Sequence, residues 1–513
     1  MKRRHALHLL ATTLVTPGCT TVAPSAPAAP PAAPRSHTVA QDALWLDRLA
    51  WGASSTDLAE LRRLGRSAWL DAQLSARAPL PPELQARIGA LSISQRDLPT
   101  LVGELEQQRK AADTLQDDAA KAAAQQAYQQ ALNTLSREAA SRALLMALYS
   151  PNQIQEQLTW FWFNHFNVHQ YKHNLRAMVG DYEQGLRTRA LGRFRDLLGY
   201  TVHHPAMLRY LDNEQNAVGR INENYARELL ELHTLGVEAG YSQHDVQELA
   251  RVLTGLGVNL SGTEPRLKPA LQAQYVRRGL MEFNPARHDG GDKQLLGLHV
   301  KGQGLGEIDQ VLDTLARHPA TARFVSRKLA QAFVADAPPP ALVERMAQRW
   351  QQTDGRMAEV MRTLIHSPEF EASLGHKFKD PQHYVVSAVR LAYDTKLVLN
   401  TGPMQGWLYR LGQAPYNHQT PDGYPLDESA WAGPGQLNTR FEIARAIGSG
   451  SAGLFRVEGE KSDRPAFPQL ANPLYYEGIA PRLAAATRQT LDQASSPQEW
   501  ATFLLSSPEF MQR

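Results

Sequence analysis

Residues Ile221 to Gly255 read INENYARELLELHTLGVEAGYSQHDVQELARVLTG, two helical patterns joined by a glycine-bounded turn. At ~100° per residue, Ile221, Tyr225, Leu229, Leu232 and Leu235 fall in one stripe, the mark of a helix with a buried face. Glu228 falls inside that stripe. A carboxylate there has to find a partner or stay protonated. Asn224 and Glu231 line one edge of the stripe, a turn to either side of Glu228, and Arg227 reaches Glu231 at i,i+4. In the second pattern Ser242 and Asp245 make a capping-box start with Asp in place of Glu, and Tyr241 is placed to staple onto Val246. The second helix therefore reads as structural, and the first carries the best candidate for a polar site.

Working outward, the stretch Ile154 to Asn167 contains WFWFNHF. Ile154, Leu158, Phe161 and His165 share one face, Asn164 flanks it, and Trp160 and Phe163 cover much of the rest, which predicts a helix buried nearly all round. His165 in that setting is either a hydrogen-bonded core residue or a ligand or proton-transfer group. For Glu228 the structural alternative is an ion pair with Arg227, Arg251 or Arg323. His203 and His204 precede Pro205 and read as capping residues, as does His318; joining a His/Glu metal set is the functional alternative. Asp289 and Asp292 in HDGGD lack the ligand series of a calcium loop and read as a turn.

The pattern over the rest of the chain is helical from Ala43 onward. An Ala/Gln-rich run at 100–145 has high helix propensity and few large apolar residues, which predicts an exposed long helix or helical hairpin inserted in the fold. Ser or His followed by Pro recurs as Ser150-Pro151, His204-Pro205, His318-Pro319, Ser367-Pro368 and Ser507-Pro508. Pro suits the first helical position, so these pairs predict helix starts. Strand signals are sparse. The best lies between Tyr275 and Val300, where two short runs flank ARHDGGDK, as in a hairpin. Thr401 to Gln436 is rich in Gly, Pro, Asn and Tyr, and so long a loop usually carries function or covers something. The fold expected is predominantly α: a large multi-helix globular core with a small β-hairpin and a long helical insertion.

Fifty-four basic and 51 acidic residues leave a net charge of +3 among 513 residues, which gives no reason to expect nucleic acid as a partner. The single cysteine, Cys19, closes a segment that begins with Lys2, Arg3 and Arg4 and continues through an apolar run too short to span a bilayer. Residues 1–19 thus read as a secretory signal with a lipobox-like end, similar to that of bacterial lipoproteins, in which Cys19 would be acylated. Residues 20–40, rich in Ala and Pro, read as a tether. Residues 41–513 then form one domain. The membrane would be met through the lipid anchor only, with the protein periplasmic or anchored to the outer membrane.

Common catalytic signatures are absent: the chain has no G-x-S-x-G, no H-E-x-x-H and no C-x-x-C. Gly302, Gly304 and Gly306 precede a helix, but Glu307 stands where a dinucleotide fingerprint needs its last glycine.

WFNHFNV at 162–168, NENYARELLELHTLGV at 222–237, YSQHDVQELARVLTG at 241–255, HDGGDKQLLG at 288–297 and the stretches HHPAMLRYLDN and HPATARFVSRKL together resemble the bacterial family called domain of unknown function 1800. The resemblance implies an exported bacterial protein, often encoded beside a second exported family similar to sulfatases and alkaline phosphatases. It brings no catalytic residue with it. The expected function is that of an accessory or binding protein of the cell envelope, working with such an exported partner enzyme. The alternative is an enzyme with its site between the 154–167 and 222–235 helices. There His165 and Glu228 would be acid/base groups or ligands of a divalent metal, and Asn164, Asn224, Arg227 and Glu231 would bind substrate.

Overall fold

The central helix, Gln153–His165, is buried on nearly every side: Ile154, Leu158, Phe161 and Trp162 are each at most 2% exposed. Its polar residues are accommodated by partners rather than by solvent. Gln153 Oε1 accepts the Trp51 backbone N–H at 2.9 Å, Gln157 donates to the Arg48 and Ala50 carbonyls, and Glu156 pairs with Arg187 at 2.9 Å. A second helix, Pro381–Tyr393, is buried at every residue. Around these two most of the remaining helices form one large hydrophobic core, with a small second cluster of Leu84, Leu145 and Met146, and Thr38 to Arg513 makes a single compact unit.

This computed structural model describes residues 37–456 and 465–513. The expected signal segment, Cys19 and the tether as far as residue 36 lie outside them. The first helix begins at Val39 behind a capping box of Thr38 and Gln41, so helix replaces tether slightly before residue 40. No helix among the described residues is long and apolar enough to cross a membrane.

The architecture is predominantly α-helical, as the periodicity predicts, with strand confined to two small antiparallel sheets. The Ala/Gln-rich run forms a helical hairpin from Leu98–Asp113 and Asp118–Tyr149. Its second helix is exposed near the tip, but Ala139, Ala140 and Leu144 to Leu148 are buried, so the base of the hairpin belongs to the core.

Between Tyr275 and Val300 one hairpin turning at HDGG was expected. The structure has two hairpins there instead. Strands β2 (Val276–Arg278) and β3 (Met281–Phe283) pair across a tight turn at Gly279, and β1 (Leu256–Val258) joins the other edge of β3. Strands β4 (Lys293–Leu295) and β5 (Leu298–Val300) pair across Leu296-Gly297, both at positive φ (51° and 74°), as a type I′ turn requires. Leucine is an unusual choice for that position, which hides the turn from a reading by residue type. The HDGGDK segment instead connects the two sheets. Its His288 and Lys293 converge on the buried Glu307 carboxylate, with Lys293 Nζ at 2.6 Å, and Asp289 pairs with Arg251 at 2.9 Å.

Three of the five Pro pairs head helices. His204 and His318 accept the backbone N–H two residues on through Nδ1, and the Ser367 hydroxyl accepts from Phe370. Ser150 instead ends the preceding helix, with the next beginning at Gln153, and no regular helix follows Ser507. The Ser242 and Asp245 capping box forms as read.

Candidate functional site

The end of the central helix is where three segments meet. Asn164, 6% exposed, receives the Tyr424 N–H on Oδ1 at 2.6 Å and donates from Nδ2 to the Tyr424 carbonyl at 2.9 Å, pairing with that backbone as a strand would. Gly423 permits the approach: its φ is +78°, and a Cβ there would lie 2.1 Å from the Asn164 carbonyl oxygen. Asn167 Nδ2 holds the His418 and Thr420 carbonyls at 3.1 and 2.8 Å, and the Tyr210 hydroxyl donates to the Gln419 carbonyl at 2.7 Å. The Gln170 N–H takes the Tyr416 carbonyl at 2.9 Å, with Tyr416 itself held at φ 58°. A bulky residue at positive φ costs about 1–3 kcal/mol and persists only where its surroundings enforce it. The Gly/Pro/Asn/Tyr-rich loop is shorter than the expected Thr401 to Gln436, because Gly402–Arg410 is helical and the next helix opens at Pro434; the part between them is stitched onto the central helix as a cover.

The second segment departs from its expected geometry. Asn224–Glu228 is α-helical, but Leu229–Thr234 widens into a π-helix. The Thr234 hydroxyl donates to the Leu229 carbonyl at 2.6 Å, and the Leu235 and Gly236 N–H groups both turn back to the Leu230 carbonyl. A π-turn inserts one residue and rotates the side chains beyond it, and such turns recur at functional sites. Here it revises the expected stripe. Tyr225, Ala226, Leu229, Leu230, His233 and Leu235 are buried, while Ile221 is exposed and Leu232 only half-buried.

That rotation divides the segment's polar groups. His233 turns fully inward and meets His165, whose Nε2 donates to the His233 carbonyl at 3.0 Å. Phe161, Trp162, Phe166, Phe194 and Phe324 surround the His165 ring. Burial pulls both imidazoles well down, His233 to about 3, and the nearby Lys328 charge adds to the effect.

Glu228 stays at the half-buried border. Among the described residues it makes no hydrogen bond and no ion pair. The three arginines considered as its partners are engaged elsewhere: Arg227 with Glu223 and Glu231, Arg251 with Glu248 and Asp289, and Arg323 with Glu344. Burial raises the Glu228 carboxyl above its ordinary range, and the charges of Glu231 and Asp422 push the same way against Arg227. Asp422, on the covering loop, is shifted oppositely. Burial would raise it, but the Thr420 hydroxyl at 2.5 Å and His418 hold it below its usual value. Lys328 carries the third charge. Burial brings its ammonium down to about 8 against the pull of Asp422. Tyr210, whose hydroxyl is raised by burial, feels both Asp422 and Glu228.

The residues singled out in the sequence are thus separated by role. Asn164 is a framework residue. Asn224 is exposed and donates from Nδ2 to the Leu211 carbonyl at 3.2 Å, and Arg227 bridges Glu223, Glu231 and Gln243. His165 and Glu228, offered as a metal pair, share no hydrogen bond or ion pair among the described residues. The His165 Nε2 is spent on a carbonyl, and among the described residues no three His, Cys, Asp or Glu side chains converge to hold a metal ion. Asp422, His418, Lys328, Tyr210 and His233 were not singled out. The composition of the 401–436 loop is the signal that pointed toward Asp422 and His418; Lys328 sits within the helical HPATARFVSRKL stretch with nothing in its spacing to mark it.

Fold and site together define a predominantly helical protein with a π-turn at the base of a loop-covered carboxylate cluster. The chain belongs to the family described as Protein of unknown function (DUF1800), which matches residues 44–512. No curated protein and no solved structure matches it.

Proposed function

We propose that this chain is an exported cell-envelope protein that serves as an accessory or binding protein for a partner exported enzyme, anchored through a lipid on Cys19. Its contact surface is the charged patch of Glu228, Glu231, Asp422 and Lys328. One observation supports this reading above the others. The histidine and asparagine at the junction are committed to internal bonds, whereas Glu228 and Lys328 make no hydrogen bond or ion pair among the described residues and the Asp422 side chain is 62% exposed. Charges without an internal partner at the edge of a surface serve recognition more readily than they serve stability. The test is affinity purification from the envelope of the native host, comparing wild type with Glu228→Lys and Asp422→Lys. A phosphatase- or sulfatase-like enzyme should accompany the wild type and be lost from both variants. Recovery of the same enzyme by all three, or of none by the wild type, would overturn the proposal.

A second reading, an acid/base enzyme, has its own support in the opposed carboxylates. Glu228 is pushed up, in part by the Asp422 charge, while Asp422 is held down, the pattern by which one carboxyl remains an acid while its neighbour is a base. In that reading Glu228 would donate a proton, Asp422 would accept one and Lys328 would steady an anionic group. Assays of the purified protein against phosphate and sulfate esters test it. Turnover that falls at least 100-fold in both Glu228→Gln and Asp422→Asn is the expected result, and turnover equal to wild type in both would remove the reading.

A further inference from the structure

A groove of ≈ 560 Å³ opens between the turn that follows the π-helix and the first half of the helix Pro319–Phe333. Val237, Ala239, Ala320 and Phe324 give it an apolar floor, and Arg323 and Arg327 stand on its wall. Glu228, Asp422 and Lys328 are not among its walls, but Lys328 Nζ lies 5.7 Å from the centre of the Phe324 ring, so the groove borders the charged patch.

Two features are poorly explained by stability. Val237 is 67% exposed, which leaves a branched apolar side chain standing in water. Arg323 and Arg327 are like charges at i,i+4, an arrangement that disfavours the helix unless something answers it. The protein supplies little in reply. Arg323 reaches Glu344 only at 3.9 Å, with both side chains about half exposed, and Arg327 makes no hydrogen bond or ion pair among the described residues. Among the described residues Glu238 is the one carboxylate lining the groove. Ala320, Arg323, Phe324 and Arg327 follow i, i+3, i+4, i+7 spacing, so one helix face carries both the floor and the charge.

The geometry points to a binding site for a small amphipathic anion: a chain or ring on the Val237, Ala239 and Phe324 floor, with a carboxylate or phosphate head group held by Arg323 and Arg327. The volume lies within the ~300–1,000 Å³ typical of ligand sites. Guanidinium forks match the planar or tetrahedral oxygens of such head groups.

Isothermal titration of the full chain with octanoate, octyl phosphate and octylamine tests the site. Octanoate or octyl phosphate should bind saturably at one per chain, and the tighter of the two identifies the head group. That binding should weaken at least tenfold in Arg327→Gln, in Arg323→Gln and in Val237→Asp, all surface changes that leave the fold intact by circular dichroism. Octylamine should not compete. Absence of saturable binding by both anions, binding unchanged in the arginine variants, or equal binding of octylamine would each overturn the inference.

Discussion

Two of the molecule's buried histidine centres are built on opposite principles. His383 lies in a polar network: Nδ1 faces Asp380 Oδ2 at 2.9 Å, and Nε2 receives the Arg513 guanidinium at 2.7 Å. The ring therefore carries its proton on Nδ1 and is neutral. Asp380 also caps the helix Pro381–Tyr393 by accepting the His383 N–H at 2.9 Å, so one carboxylate orders both helix and ring. At the other centre, His165 uses one nitrogen on a carbonyl and leaves Nδ1 unbonded, while His233 leaves both ring nitrogens unbonded. Aromatic neighbours hold that pair instead. Both centres disfavour the charged imidazole, but only the first depends on charge for its integrity.

The comparison breaks most readily at Asp380. Arg513 and Arg440 are buried cations that both feel its charge, and removing one partner of a buried ionic set leaves the others uncompensated. Asp380→Asn keeps a competent helix cap, so the loss falls on the charge alone. The expected cost is about 3–5 kcal/mol in urea denaturation. A cost below about 1 kcal/mol would mean that His383 is held as His233 is, by packing.

Acid separates the two centres next. Burial, then Arg513, brings His383 down to about 4 against Asp380, and burial brings His233 to about 3, both below the ordinary 6.5. Between these values the unfolded chain binds protons that the folded chain refuses, so stability is full above about pH 6.5 and falls as the pH drops. His383 stops contributing to the fall near pH 4, and His233 near pH 3. Asp380, held near 2 by His383 and Arg513 despite its burial, loses its contribution between 3.8 and about 2. Urea midpoints should hold level from pH 8 to about pH 6.5 and decline from there to pH 4, and His233→Leu should flatten part of that slope. A flat profile would contradict the neutral assignment at both centres.

How much of this the sequence discloses depends on the range of the interaction. The Ser242 and Asp245 box and the caps at His204 and His318 are legible because donor and acceptor lie within three residues of each other. The helical core and the all-round burial of Gln153–His165 are legible because a period of 3.6 reports which faces are wet. The π-turn is not. It depends on whether a ring such as His233 finds room among Phe166 and Tyr225, and a single inserted residue then rotates the side chains beyond Glu228. Glu228 could be singled out as a stranded carboxylate, but Asp422 and Tyr210 reach it only through the tertiary fold, as Lys328 reaches Asp422. The Asp380, His383 and Arg513 set is equally long-range, and nothing in their spacing joins the arginine to the other two.

The smallest expected effect is the one that sharpens the contrast most. A buried imidazole with both nitrogens unbonded bears a desolvation cost of about 1–3 kcal/mol without return. Leucine at His233 would remove that cost and would forfeit the contact with the Phe166 ring, centred 5.2 Å away, an aromatic pairing worth about 0.5–1.5 kcal/mol. The two nearly cancel. His233→Leu should therefore change unfolding free energy by no more than about 1 kcal/mol in either direction, measured beside Asp380→Asn under the same conditions. If it instead destabilised the chain as severely as Asp380→Asn, the His233 ring would have to be bonding to something, and the difference between the two centres would be one of partner rather than of principle.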